Sequence, residues 1–153
     1  MTSASYSILP AQETDAAEIA RLSLELGYQT TADRTRSALD QMLRSPRYFA
    51  VVASAGAGQL LGWAVAERRL TLESGESVEL TGLVVTTSAR RLGVGRALVV
   101  AAESWAVQGG FSSIRVRSNT TRTESHPFYE CLGFERTKTQ HAYRKLLGPP
   151  VSA

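Results

Sequence analysis

Residues 83–99 read LVVTTSARRLGVGRALV, a passage from a β-branched run through two arginines and two glycines into a helix pattern. Three uses of so bare and so positive a backbone compete at Arg90, Arg91, Gly93 and Gly95: a turn that only glycine permits, a cradle for a phosphate, or a patch for nucleic acid. Spacing removes two nucleotide motifs. A Walker-type loop needs Gly-x-x-x-x-Gly-Lys-Ser/Thr, and no lysine follows Gly95; a dinucleotide fingerprint needs a third small residue where Leu98 stands. What is left is Arg90-x-x-Gly93-x-Gly95 at the mouth of a helix. There the N–H groups of Arg91, Leu92, Gly93, Val94, Gly95 and Arg96 point out of the helix N-terminus, which suits an anion. On spacing alone a plain turn fits equally.

Downstream of the turn, Val94, Leu98, Ala101 and Trp105 share one helix stripe that Gly109 and Gly110 end, and Ile114 with Val116 mark another strand. With a helix between them, the strands ending at Val85 and beginning near Ser113 should run parallel, joined by a right-handed crossover. Upstream, residues 48–53, 60–67 and 78–85 are β-rich and separated by glycine- and serine-bearing turns, which predicts an antiparallel meander. Residues 6–9 make a first strand. Thr14 or Asp15 caps a helix carrying Ile19, Leu22 and Leu26 and closed by Gly27; Thr31 starts a second, with Ala38, Leu39, Met42 and Leu43 as its apolar side and Pro46 as its stop. Toward the end, Ser125 or His126 caps a short helix with Pro127 in its first turn and Gly133 behind it, and residues 134–147 are expected to form a last strand or hairpin. The expected fold is therefore α/β, with a mixed, mostly antiparallel sheet holding one parallel pair. Residues 1–148 are expected to form a single domain and 149–153 a tail.

Composition narrows the function classes. The 153 residues are 43% hydrophobic, enough for one core without staples, and no stretch approaches a membrane span or a signal peptide, so a cytoplasmic protein is expected. One cysteine, Cys131, and two histidines, His126 and His141, leave no ligand set for a metal. The net charge of +3 is small and its basic residues are scattered, which argues against nucleic acid and is compatible with an anionic ligand. Cys131 reads as a small buried residue of the short helix rather than an acyl-carrying nucleophile, and Trp63 and Trp105 read as packing.

The flanking residues carry a resemblance that bears on what the turn binds. LVVTTSARRLGVGRALV resembles the acyl-CoA signature of the GNAT superfamily of N-acetyltransferases, and RSNTTRTESHPFYECLGFERTK, residues 117–138, resembles its second signature. The resemblance implies a GNAT-like fold in which the parallel pair is splayed at the acyl-CoA site. It implies acetyl-CoA as cosubstrate, held at the pyrophosphate by the backbone from Arg91 to Arg96, with charge from Arg90, Arg91 and Arg96, and along the pantetheine by the backbone of Leu83, Val84 and Val85. An N–H of Leu83 or Val85 would polarise the thioester carbonyl. Asn119 matches a coenzyme-contacting asparagine, with turn formation as its other reading, and Arg122 is a further candidate for a phosphate.

Tyr129 matches the tyrosine that protonates the departing thiolate in many relatives. A phenol near pKa 10 and a thiol near 8.5 make that donation uphill by roughly 2 kcal/mol, which a hydrogen bond accommodates. Strict alternation places Glu79 on one face with Thr81, Leu83 and Val85, about 13 Å from Leu83, so Glu79 would serve as base through water. Tyr28 and His126 are acceptor-side candidates. The resulting expectation is acetyl transfer to a primary amine, of a small molecule in the first instance, by direct transfer in a ternary complex, with no metal, no nucleic acid and no membrane involved. A protein N-terminus or lysine is the alternative acceptor, a non-catalytic acyl-CoA-binding module the alternative class, and a homodimer the expected assembly.

Overall fold

A computed structural model describes residues 5–121 and 124–149. They fall into two compact units, one through Arg117 and one from Ser118 onward. In the first unit five strands lie in sequence order: β1 (Ser7–Pro10), β2 (Tyr48–Gly56), β3 (Gln59–Thr71), β4 (Gly75–Val85) and β5 (Arg115–Val116). The first four are antiparallel neighbours and β5 is parallel to β4, the mixed sheet that the turn and its crossover helix predict.

Helices α1 (Ala16–Glu25) and α2 (Ala32–Leu43) cover one face of the sheet, and α3 (Val94–Gln108) covers the other. On the first face Ile19, Leu22 and Leu39 pack with Val52, Leu60 and Val84. On the second, Val94, Leu98, Val99, Ala102 and Ala106 are buried, so the helix stripe is rotated slightly from the predicted one, with Ala101 and Trp105 at its half-buried margin. Leu98 and Leu22 are wholly enclosed, each worth roughly 2 kcal/mol of transfer free energy. Gly62 exists for this contact: a Cβ there would stand 2.6 Å from the Val84 carbonyl oxygen and 3.2 Å from Leu98. At the far end Arg68 lies over the rings of Trp105 and Phe111, and Phe49 stacks on Trp105 at 5.4 Å.

The helix boundaries follow their caps. Thr31 accepts the N–H of Arg34 through its hydroxyl, and Gly27 closes α1 at φ +93°. In the second unit α4 (Ser125–Cys131) begins one residue earlier than expected, with Glu124 at the N-cap, and ends at Gly133 with φ +93°. Two expectations fail there. Residues 134–147 form no strand, because the stretch is polar, holds few β-branched residues and has no ladder to join; a hairpin alone is marginal in water. Cys131 is exposed, not buried, since it falls on the open side of a helix of only seven residues.

Candidate active site

A short 3-10 turn, Thr87–Ala89, leads from β4 to an extended Arg90. Arg91 then takes φ +74° and Gly93 φ +78°. The left-handed conformation at Arg91 costs a side-chain-bearing residue about 1 kcal/mol, and it recurs two residues later where glycine takes it freely. Leu92 spends its N–H on the Ala89 carbonyl at 3.3 Å, so it leaves the set of free amides expected from the sequence. Ala97 is the first residue of α3 whose N–H reaches back to a carbonyl, that of Gly93 at 3.0 Å. The amides of Gly93, Val94, Gly95 and Arg96 therefore have no acceptor within the helix and form a concavity at its positive end. Arg90, Arg91 and Arg96 are all exposed around it.

Two side chains from distant parts of the chain hold this turn. The Tyr6 hydroxyl donates to the Leu92 carbonyl at 3.5 Å. Glu25, at the end of α1, accepts the N–H of Thr87 at 3.1 Å and the hydroxyls of Thr87 and Thr86 at 3.0 and 2.9 Å. The Thr87 N–H, followed by the two hydroxyls, holds the Glu25 carboxyl below its ordinary range. Glu18, two helical turns earlier, is lowered chiefly by its Arg21 partner and also accepts the Leu60 N–H at 3.1 Å.

Along β4 the pairing with β5 covers only Glu79 and Leu80. From Thr81 to Val85 no strand of the described sheet continues on that side, so backbone groups there are open to an extended ligand with amides of its own. A β-bulge sits at the same place: Val65 pairs with Gly82 but Ala66 pairs with Leu80, leaving Thr81 as the extra residue. Thr81 fills its spare position by donating its hydroxyl to the Val65 carbonyl at 3.3 Å. The bulge corrects the strict alternation of the sequence reading. Across it the faces change phase, so Glu79 shares its face with Gly82 and Val84, not with Leu83 and Val85.

That face carries a cavity of about 480 Å³ between α2 and the sheet. Its floor is Trp63, which lies flat on Gly82; a Cβ on Gly82 would be 2.5 Å from the indole Cζ3. Ala38 and Met42, predicted as core positions of α2, line the cavity instead, and Tyr28, Gln29, Thr30 and Arg34 of the α1–α2 region form its polar side. Tyr28, an acceptor-side candidate from the sequence, is among the lining residues. Trp63, Thr81, Gly82 and Arg34 were missed; an isolated glycine inside a strand pattern was the signal for the bulge. Leu83 and Val84 also line the cavity. Glu79 does not. Its carboxylate is bracketed by Arg69 Nη1 at 3.1 Å from one oxygen and Arg117 Nε at 3.3 Å from the other. A water relay to an amine would have to use the lone pairs these guanidiniums leave over.

Within the second unit, Asn119 accepts the N–H and hydroxyl of Thr121 at 3.0 and 2.9 Å, an Asx turn, and His126 Nε2 donates to the Asn119 carbonyl at 3.1 Å. The half-buried Tyr129 ring meets Phe128 and Phe134 edge to face, at 5.1 and 5.6 Å. Arg122 lies outside the described residues. Among the described residues no three His, Cys, Asp or Glu side chains gather as a metal site, and no helix is long and apolar enough to cross a membrane.

Comparison with known proteins gives the family. Residues 14–134 match the model of the "Acetyltransferase (GNAT) family". The aminoglycoside N(6')-acetyltransferase type 1 of Klebsiella aerogenes is 33% identical over 92% of this chain and 96% of its own. The enzyme of the same name from Stenotrophomonas maltophilia is 28% identical over 90% and 93%. Among solved structures, the aminoglycoside N-acetyltransferase AAC(6')-Iy, in complex with the bisubstrate analog CoA-S-monomethyl-acetylneamine, shares the fold at a TM-score of 0.81 and 24% identity, over 93% of this chain and 99% of that one. The chain belongs to the GNAT acetyltransferase family and is an acetyl-CoA-dependent N-acetyltransferase.

Proposed function

We propose that the protein transfers the acetyl group of acetyl-CoA directly to the primary amine of a small molecule. The observation that carries this reading is one continuous surface of the first unit: bared amides at the start of α3, an unpaired length of β4, and a cavity beside its bulge. The amides and helix end fit a pyrophosphate, and the open strand edge fits an arm built from amides. Acetyl-CoA brings an activated thioester to that edge. The family and the names of the two curated relatives support a small-molecule acceptor over a protein N-terminus or lysine.

In this reading the backbone amides of Arg91 and of Gly93 to Arg96, without that of Leu92, bind the pyrophosphate, and Arg90, Arg91, Arg96 and Arg122 add charge. The backbone of Leu83, Val84 and Val85 aligns the pantetheine, and an N–H of Leu83 or Val85 stabilises negative charge developing on the carbonyl oxygen. Tyr28 and His126 serve the acceptor side. The amine nitrogen forms its bond to the carbonyl carbon as the C–S bond breaks, Tyr129 gives its phenolic proton to the sulfur, and the amine proton leaves through water, with Glu79 as its relay. Asn119 orders the segment that carries His126. We place the enzyme in the cytoplasm as a homodimer; exposed Tyr143, Leu146 and Leu147 of the second unit support pairing, and light scattering tests it. Thiol release from acetyl-CoA over a panel of amines and peptides tests the activity: turnover on peptides alone would replace the acceptor class.

A further inference from the structure

The charges around the cavity select an acceptor, given the acetyltransferase reading above. Among the described residues that line it, Arg34 is the one charged residue and none is a carboxylate. Nearly every carboxylate that approaches this side of the sheet is already engaged. Asp33 and Asp40 pair with Arg36 and Arg44 along α2, Glu18 with Arg21, Glu25 with Thr86 and Thr87, and Glu79 with Arg69 and Arg117.

On this face of the sheet itself, Glu67 is the exception. It stands on β3 two residues past Val65, on the face that carries Trp63 and Val65, directly across from Glu79 on one side and Tyr48 on the other. That places it roughly 7 Å along the strand from Val65 at the cavity's edge, and roughly 13 Å from Trp63 on its floor. It is half-buried, and among the described residues it has no ion pair. The guanidinium of Arg34 likewise has no ion pair or hydrogen bond among the described residues. The unmatched positive group thus lines an apolar hollow floored by an indole, and the unmatched negative group stands on the same sheet face beyond the hollow's edge.

We infer that the acceptor is an amino-acid-like zwitterion: one primary amine, one carboxylate, and an aryl or branched alkyl body. Arg34 takes the carboxylate, the body lies on Trp63 among Ala38, Leu39 and Met42, and the amine is led toward the bulge at Thr81 with Glu67 as its counter-charge. A polycation fits this cavity poorly, since each ammonium after the first would lose water and meet no carboxylate. The acceptor proposed here therefore differs from the aminoglycosides named for the relatives.

The test measures thiol release with acetyl-CoA and three probes: L-phenylalanine, phenethylamine and tobramycin. L-Phenylalanine is expected to exceed both others in kcat/KM by about tenfold or more, the discrimination of a charged hydrogen-bonded pair. Arg34→Gln, an exposed helix position, is expected to collapse the preference for L-phenylalanine over phenethylamine toward one, and Glu67→Gln to raise KM for both. Equal use of L-phenylalanine and phenethylamine by the unaltered protein, or preference for tobramycin, overturns the inference and leaves the acetyltransferase reading standing. Absence of release with all three also overturns it; calorimetry with acetyl-CoA then separates the two failures, because loss of coenzyme binding would remove the broader reading as well.

Discussion

The turn at the start of α3 and the cavity under α2 are made of opposite materials. The turn is built from backbone: two left-handed residues, four amides without helical acceptors, and a carboxylate from α1 that ties it down. The cavity is built from side chains contributed by α1, α2, β2, β3 and β4. Backbone sites tolerate side-chain change and resist conformational change. Side-chain sites do the reverse, which lets one fold keep its coenzyme while its acceptor varies.

Four experiments press on that contrast. The largest effect is expected from the side chain proposed as the acid: Tyr129→Phe should lower kcat by about 100-fold, the low end of what general acid catalysis contributes, while acetyl-CoA affinity changes little. An unchanged kcat in single-turnover measurements would remove Tyr129 from the mechanism. Next comes the cavity. Gly82→Leu drives a side chain against the Trp63 indole and should cost about 2 kcal/mol in kcat/KM for the acceptor, some 30-fold, with acetyl-CoA binding intact. If coenzyme affinity fell equally, the two regions would not be separable.

A smaller loss is expected at the turn. Gly93→Val imposes a β-branched side chain at φ +78° and should weaken acetyl-CoA about tenfold by calorimetry, more than Arg96→Ala in the same turn. The reverse order would make the site one of side-chain charge. The smallest effect is the tether. Because Glu25 has a lowered folded-state pKa, its contribution is present above the ordinary carboxylate value and is lost as pH falls through that value and on toward the folded one. Glu25→Gln should lower Tm near neutral pH and flatten its decline between about pH 5 and pH 3. A parallel decline in both proteins would show that the carboxylate contributes nothing through its charge.

The two regions also differ in how far they could be read from residues alone. The turn was legible because glycine spacing and the strand-to-helix change of period are local, and the Phe128-Tyr129 signature is local as well. The parallel pair followed from one intervening helix. The cavity was not legible, because Ala38 and Met42 occupy ordinary core positions of an amphipathic helix, and nothing nearby tells that the helix fronts a hollow. Glu79 was assigned to the wrong face for a related reason: counting by twos across residues 79–85 presumes a regular strand, and Thr81 breaks the count. Residues 134–147 failed as a strand because pairing needs a neighbour, which sequence cannot supply.

Thr81 has a further consequence. Remove it, and Gly82 still faces Val65, Leu80 still faces Ala66, and Glu79 still faces Glu67. A sheet selected for stability alone would have no use for the residue. A bulge bends its strand, here where β4 runs past the cavity, and deletion of that one threonine asks how much of the enzyme is architecture and how much is aim.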